Sequence, residues 1–432
     1  MRNSVKTIGI LGLWHLGLVY ATSFAKLGLK ITGFDTSKEI IDNLSNGYPP
    51  IFEPGLEDFL KKYLNKNLRF TKNPKEAISK KDYVFVTLDI PVNDTDDIDI
   101  RSLNKLFNYC LEHISPNTVI VISSQVPIGT CQKLQARFNR LKKKVSIIYF
   151  PENLRLGNAF KSFLEPERII LGGEKKVLKK FLDDFNLTRF PSFLMSLESA
   201  EMSKHALNAY LATCISFSSE LGDICELTGA NMDDVIKALK SEKRVSPHAP
   251  LNPGLGFAGG TLGRDIKTLM LVSRNVGYKP IFMKAVYKVN QTRTEYLVKR
   301  IAGILGSISG KKIGLLGLTY KPGTDTLRRS MSLQLANALK RSGAKIIAFD
   351  PMVSITIKGY EFIGIKKSLE NLFEEVDIAI LMTEWLEFNE KEVLGYASLM
   401  KNKILIDTKN FLDIGDYKKH DFKVYRIGSN EN

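Results

Sequence analysis

The chain has 432 residues, 44% of them hydrophobic, and its 62 Lys and Arg against 46 Asp and Glu leave a net charge of +16. That length exceeds one typical domain and suits two or three packed cores. The lysines are dispersed without an aromatic-interleaved basic stripe, which argues against a nucleic-acid partner and leaves a lysine-rich surface or a mild pull on small anions. No apolar run reaches the roughly 18 residues of a membrane span, and MRNSVKTIGILGLW leads straight into a strand-like run instead of a cleavable signal. A cytoplasmic protein with no membrane partner is expected. Cys110, Cys131, Cys214 and Cys225 lie far apart without a CxxC pair, which predicts reduced, mostly buried thiols and no metal site.

In chain order, residues 7–11 read as a buried strand, followed by a Gly-containing turn, a helix from about His15 to Leu27 and a strand over Lys30–Asp35. Further apolar runs at Tyr83–Leu88, Thr118–Ser123, Val145–Phe150 and Arg168–Leu171 alternate with helical stretches, as a doubly wound parallel sheet requires. Leu197–Thr228 has helical periodicity with no Pro and only Gly222 inside, so it reads as one long helix, and helical spacing continues through Met232–Leu239 and Ile281–Ile304. The α/β pattern then restarts with a strand at Lys312–Leu316, a helix at Ser332–Ser342 and strands at Lys345–Asp350, Ile378–Met382 and Lys403–Ile406. The expected fold is α/β: two Rossmann-like, doubly wound domains, residues 1–196 and 306–432, joined by a long central helix and a helical middle, residues 197–305.

The first turn, Gly12-Leu-Trp-His-Leu-Gly17, with Asp35 at the end of the second strand, has the spacing of a dinucleotide site whose acid accepts from ribose hydroxyls, which favours NAD over NADP. The first glycine permits the tight turn and Gly17 the close approach of helix to strand. Trp14 occupies the middle glycine's place, beside His15 and Leu16, and either displaces the dinucleotide outward or covers it. Lys38 is placed to face the adenosine, although a solvated lysine is the commoner case.

The stretch Asn252-Pro-Gly-Leu-Gly-Phe-Ala-Gly-Gly-Thr-Leu-Gly-Arg-Asp265 resembles the catalytic loop of the UDP-glucose/GDP-mannose dehydrogenase family, usual form GFGGSCFPKD. The likeness extends over nearly the whole chain. It runs through Pro50-Ile-Phe-Glu-Pro-Gly-Leu56, Val126-Pro-Ile-Gly-Thr130, Pro151-Glu-Asn-Leu-Arg155, Phe163-Leu-Glu-Pro-Glu-Arg-Ile169 and Ala200-Glu-Met-Ser-Lys-His-Ala-Leu-Asn208. It continues in Gly317-Leu-Thr-Tyr-Lys-Pro-Gly-Thr-Asp325, Thr383-Glu-Trp385 and Asp407-Thr-Lys-Asn410. The resemblance implies an NAD-dependent nucleotide-sugar dehydrogenase, UDP-sugar favoured, in which Lys204 and Asn208 stand beside the reacting carbon, Asp265 helps hold a catalytic water, and Glu152 lies close to the sugar. It also implies substrate contacts from Asn153, Leu154, Phe257, Gly260, Tyr320, Lys321 and Lys409, cofactor contacts from Gln125 and Arg328, and Arg244 reaching into a partner subunit's site, hence a homodimer with the helical middle as its dimerisation domain. On a helix, positions 204 and 208 are about 40° apart, so both side chains share one face.

Departures from the family pattern cluster at the chemistry. Thr261 replaces the nucleophilic cysteine that carries the second oxidation of the sugar CH2OH, Gln125 a catalytic threonine, Leu156 a glutamate, Arg264 a lysine and Ile90 a threonine beside the cofactor. Cys214 lies about 15 Å along the helix from Lys204 and about 80° off its face, Cys225 about 30 Å along, and His205 is turned by about 100°. A threonine with no base is a poor nucleophile. The resemblance therefore leaves open a dehydrogenase limited to a single oxidation, a family member that binds nucleotide sugar or NAD without turnover, and a redox-neutral enzyme that retains its NAD.

Overall fold

The computed structural model describes residues 5–90, 100–151, 154, 157–258, 260–374 and 376–429. They form two compact units, Met1–Ala206 and Leu207–Asn432.

The first unit runs β1 (Thr7–Leu11), α1 (His15–Lys26), β2 (Lys30–Phe34), α2 (Lys38–Ser45), α3 (Leu56–Tyr63), β3 (Leu68–Thr71), α4 (Pro74–Ile78), β4 (Tyr83–Val86), α5 (Arg101–His113), β5 (Val119–Ile122), α6 (Thr130–Arg140), β6 (Ser146–Tyr149), α7 (Ala159–Leu164), β7 (Ile169–Gly173), α8 (Lys175–Asp184) and β8 (Ser192–Met195), then enters the 32-residue α9 (Leu197–Thr228). Its sheet has the order β3-β2-β1-β4-β5-β6-β7-β8. The central strands are apolar throughout because helices cover both faces, and alternate residues feed opposite cores. Phe85 packs with Ile8, Ile10, Tyr20 and Phe24, whereas Val84 and Val86 pack with Ile120, Ile122 and Phe138.

The sheet departs from the all-parallel expectation at β7, which pairs antiparallel with β6 (Ile148 with Gly173, Tyr149 with Gly172) and parallel with β8. Among the described residues the connection into β7 carries the six-residue α7, and the β7-α8-β8 unit is laid onto the sheet in reverse. Close packing holds it there: a Cβ on Gly172 would stand 2.6 Å from Ala200 Cβ of α9.

The second unit continues α9 and adds α10 (Met232–Ser241), α11 (Leu262–Asn275), α12 (Ile281–Leu305), β9 (Lys312–Leu316), α13 (Met331–Arg341), β10 (Lys345–Phe349), β11 (Ile363–Ile365), α14 (Leu369–Phe373), β12 (Ile378–Leu381), α15 (Glu390–Gly395), β13 (Ile404–Asp407), α16 (Ile414–Lys419) and β14 (Lys423–Arg426). Its sheet, β11-β10-β9-β12-β13-β14, is wholly parallel and repeats the order of the first six strands of the other sheet. The opening turns match as well. Gly12 at φ 98° donates its N–H to Phe34 O, and Gly317 at φ 97° donates to Phe349 O. The strands that sequence pattern did not reveal, β3, β8, β11 and β14, are the four sheet edges, too short and too exposed to give an apolar run.

Within the second unit a buried polar cluster ties the helical middle to the C-terminal segment. Glu226 of α9 accepts from Gly428 N (2.6 Å) and Tyr296 Oη (2.7 Å) and pairs with Arg300 Nη1 at 2.9 Å, while Arg300 also donates to Arg426 O. Burial raises the Glu226 carboxyl above its usual range, and Arg300 offsets that. Glu226→Ala would leave a buried guanidinium without its counterion; a stability loss of about 3–5 kcal/mol is expected, read as a lower midpoint in denaturant unfolding.

Candidate active site

The first-unit turn has the shape of a phosphate cradle. α1 begins at His15, and its N-cap residue, Trp14, offers no side-chain acceptor, so the N–H groups of the first helical turn are available to an anion and reinforced by the helix dipole. A Cβ on Gly17 would lie 1.8 Å from Gly12 O, and one on Gly12 would lie 2.9 Å from Leu88 Cα, so both positions require glycine. Thr87 Oγ1 donates to Leu11 O and Gly12 O and fixes the turn to the neighbouring strand. Asp35 accepts from Leu13 N (2.9 Å) and Ser37 N (3.0 Å), and a carboxylate's remaining lone pairs suit ribose hydroxyls. These residues fit a bound dinucleotide.

The other expected cofactor residues divide. Trp14 is 43% exposed and so does not fill the core. His15 bonds through Nε2 to Glu53 Oε2 at 2.9 Å, and Glu53 also accepts from Gly157 N and Ala159 N. Leu16 packs into the core, leaving its backbone alone to face a ligand. Lys38 is exposed and pairs with Asp42 on its own helix, the solvated alternative. Glu53 was missed as a site-building residue although it lies within the proline-flanked motif 50–56.

A second loop is ordered by α9. Glu201, fully buried, accepts from Gly129 N (2.5 Å) and Cys131 N (2.8 Å) at the start of α6, which holds the segment carrying Gln125. His205 Nε2 donates to Val126 O and so ties the same segment to α9. Gln125 is half-buried and Ile90 buried.

In the second unit the loop 252–261 leads into α11. Thr261 is exposed at the helix start, and its side chain makes no capping bond. Asp265, in the first turn and fully buried, accepts from Asn208 Nδ2 of α9 and has Arg264 Nε 3.9 Å away. Asn208 and Lys204, one turn earlier on the same helix, are 6% and 9% exposed. Phe257 sends its ring into the core among Ala209, Ala212, Ile266 and Val286. Gly260 lies against the Arg328 guanidinium, its Cβ position 3.9 Å from that carbon.

The C-terminal sheet treats its turn differently. A long loop separates β9 from α13, whose first turn is capped by Ser330. Asp350 instead gathers Leu318 N, Thr319 N and Trp385 Nε1. Tyr320 and Lys321 emerge from that loop half-buried, with the ammonium 5.7 Å from the ring centre. Lys409 is 3.4 Å from Glu384 and presented by Asp407, which accepts from Lys409 N, Phe411 N and Leu412 N. Arg244 is exposed and pairs with Glu242. Leu154 packs against the first core, whereas Glu152, Asn153 and Leu156 lie outside the described residues.

All four cysteines are buried and free. Burial pushes the Cys110 thiol up to about 12 and raises Cys131 well above its usual value. Cys214 and Cys225 pack with Met232 and Ile236 between α9 and α10. Among the described residues no helix is long and apolar enough to cross a membrane.

Three models of one family match the chain in order: the NAD binding domain of the UDP-glucose/GDP-mannose dehydrogenase family over residues 6–185, its central domain over 198–292 and its UDP binding domain over 314–414. The chain belongs to the UDP-glucose/GDP-mannose dehydrogenase family. It is 33% identical to a UDP-glucose 6-dehydrogenase of Rickettsia felis, over 98% of this chain and 96% of that protein. The UDP-glucose 6-dehydrogenase TuaD of Bacillus subtilis is 29% identical, over 98% and 93%. A UDP-glucose dehydrogenase from the hyperthermophilic archaeon Pyrobaculum islandicum superposes with a TM-score of 0.86 at 28% identity over 99% of each chain. This family member is an NAD-dependent oxidoreductase that acts on the CH–OH group of a nucleotide sugar.

Burial raises the Glu201 carboxyl above the usual glutamate range, against the pull of its two N–H donors. A raised carboxylate contributes stability that is lost as pH rises through its folded-state value. The melting temperature of the wild type relative to Glu201→Gln should therefore fall between pH 4.5 and neutrality, measured by calorimetry across that range.

Proposed function

We propose that this family member oxidises a UDP-sugar with NAD, as a step toward polysaccharide or glycan precursors, and removes one hydride equivalent per sugar. Position 261 carries the one-step reading. Thr261 opens α11 four residues before Asp265. Cys214 and Cys225 lie in a separate apolar cluster, and His205 is bonded to Val126 O. A threonine hydroxyl in place of a thiol is a poor nucleophile for a covalent adduct at 261.

The first oxidation asks less of the protein. NAD, when bound, accepts the hydride. Lys204 as an ammonium and Asn208 as an amide donor stabilise the negative charge developing on the sugar oxygen, and Asp265 orients Asn208 by taking its Nδ2–H. The product is then an aldehyde or ketone, with one NADH and one proton released. Tyr320, Lys321 and Lys409 are assigned to the nucleotide, their cations facing its diphosphate. Arg328, whose guanidinium lies beside Gly260, is assigned to the cofactor and Gly260 to the sugar.

Over a panel of UDP- and GDP-sugars, one NADH per sugar consumed is expected, and two would overturn the one-step reading. Lys204→Ala should lower kcat about 10²–10³-fold; tight NAD binding without turnover of any sugar would favour the binding-only alternative.

We further propose a homodimer formed through α9. Tyr210, Phe217 and Ile224 recur every seven residues along that helix and are each about half exposed, an apolar stripe unlike a solvent face. Arg244, exposed in its own subunit, is then available to a partner's site. Phe217→Glu should halve the mass seen by analytical ultracentrifugation; an unchanged mass would place the interface elsewhere.

A further inference from the structure

The loop that carries position 261 is held by a face of α12 to which the family resemblance assigned no role. Asn290 binds Phe257 at two points. Its Oδ1 accepts from Phe257 N at 2.7 Å, and its Nδ2 donates to Phe257 O at 3.1 Å. One side chain thus satisfies both backbone groups of a buried residue, as a neighbouring strand would. Gly256 is shaped to this contact. It sits at φ 88°, and a Cβ there would stand 2.1 Å from Asn290 Oδ1.

One turn further along α12, Arg293 donates through Nε to Gly254 O at 3.1 Å, while Nη2 reaches Asp223 of α9 at 2.9 Å and Nη1 binds the other oxygen of the same carboxylate. Arg293 is 2% exposed. From α9, Ser218 and Ser219 donate to Asn252 O and Gly254 O. Asn252 is therefore bound to α9, Phe257 to α12 and Gly254 to both before the chain reaches Thr261.

We propose that Asn290 is a positioning residue for sugar oxidation. By pinning Phe257 it sets where the chain enters α11, and so where Thr261 and Asp265 stand relative to Asn208. This inference rests on the dehydrogenase reading. An error of about 1 Å in such a constellation is enough to lower turnover about 100-fold.

Two variants test it. Asn290→Ala removes both bonds. With the nucleotide sugar that the wild type turns over in the panel above, kcat should fall about 100-fold while the NAD affinity, read by fluorescence titration, stays at the wild-type value. Hydrogen–deuterium exchange should rise in residues 252–258 and stay unchanged in the first unit. Asn290→Asp supplies an internal control. A protonated carboxyl has one acceptor and one O–H donor and reproduces the amide pattern, whereas the carboxylate cannot donate to Phe257 O. Its kcat should approach the wild type on the acid side and fall through a new ionisation as pH rises, with the protein still folded by circular dichroism.

Wild-type kcat in Asn290→Ala, a wild-type pH profile in Asn290→Asp, or loss of NAD affinity together with kcat would each overturn the proposal. If the wild type turns over no sugar in the panel, the dehydrogenase reading fails on its own. The exchange measurement then decides the clamp, which is overturned by unchanged exchange in residues 252–258.

Discussion

A carboxylate removed from water must find donors, and the fully buried Asp265 imposes that demand at the first turn of α11. Asn208 answers it from α9, with Arg264 alongside and the positive end of the α11 dipole beneath. The pairing brings together residues 57 apart in sequence and fixes the separation of two helices. Everything between them must then be built to length, which is why the intervening loop contains glycines at strained or crowded positions and why α12 supplies Asn290 and Arg293 to hold it.

The two α/β halves solve related problems by different physics. Both start with a glycine at positive φ and an acid after the second strand that gathers turn N–H groups, Asp35 in one and Asp350 in the other. In the first, the turn passes directly into α1, and an uncapped helix end supplies backbone donors and dipole to a pyrophosphate. In the second, Ser330 caps α13 and a long loop intervenes, so an anion there would need side-chain charges, the role we propose for Lys321 and Lys409.

We propose that the chain keeps what polarises an alcohol and, with Thr261 in place of a cysteine, lacks the thiol that would form a covalent adduct to an aldehyde. Lys204, Asn208 and Asp265 are buried, while Cys110, Cys214 and Cys225 pack among apolar side chains and the Cys131 thiol lies beside Glu201. The departures from the family pattern at 125, 156, 261 and 264 are consistent with the one-step reaction we propose.

The amino-acid sequence by itself determined what depends on local geometry and apolar periodicity. It specified the βαβ opening, the unbroken α9, the restart of an α/β unit after residue 312, the Gly12–Gly17 turn and the missing thiol. Tertiary structure decided what depends on distant partners. The edge strands gave no signal because half-exposed strands of three or four residues lack a pattern, and the reversal of β7 was set by packing against α9 at Gly172. Glu53, Glu201 and Asn290 read as ordinary polar residues until folding sets them against backbone groups 104, 72 and 33 positions away. Periodicity records which face is buried; it does not record which polar atom waits on the other side.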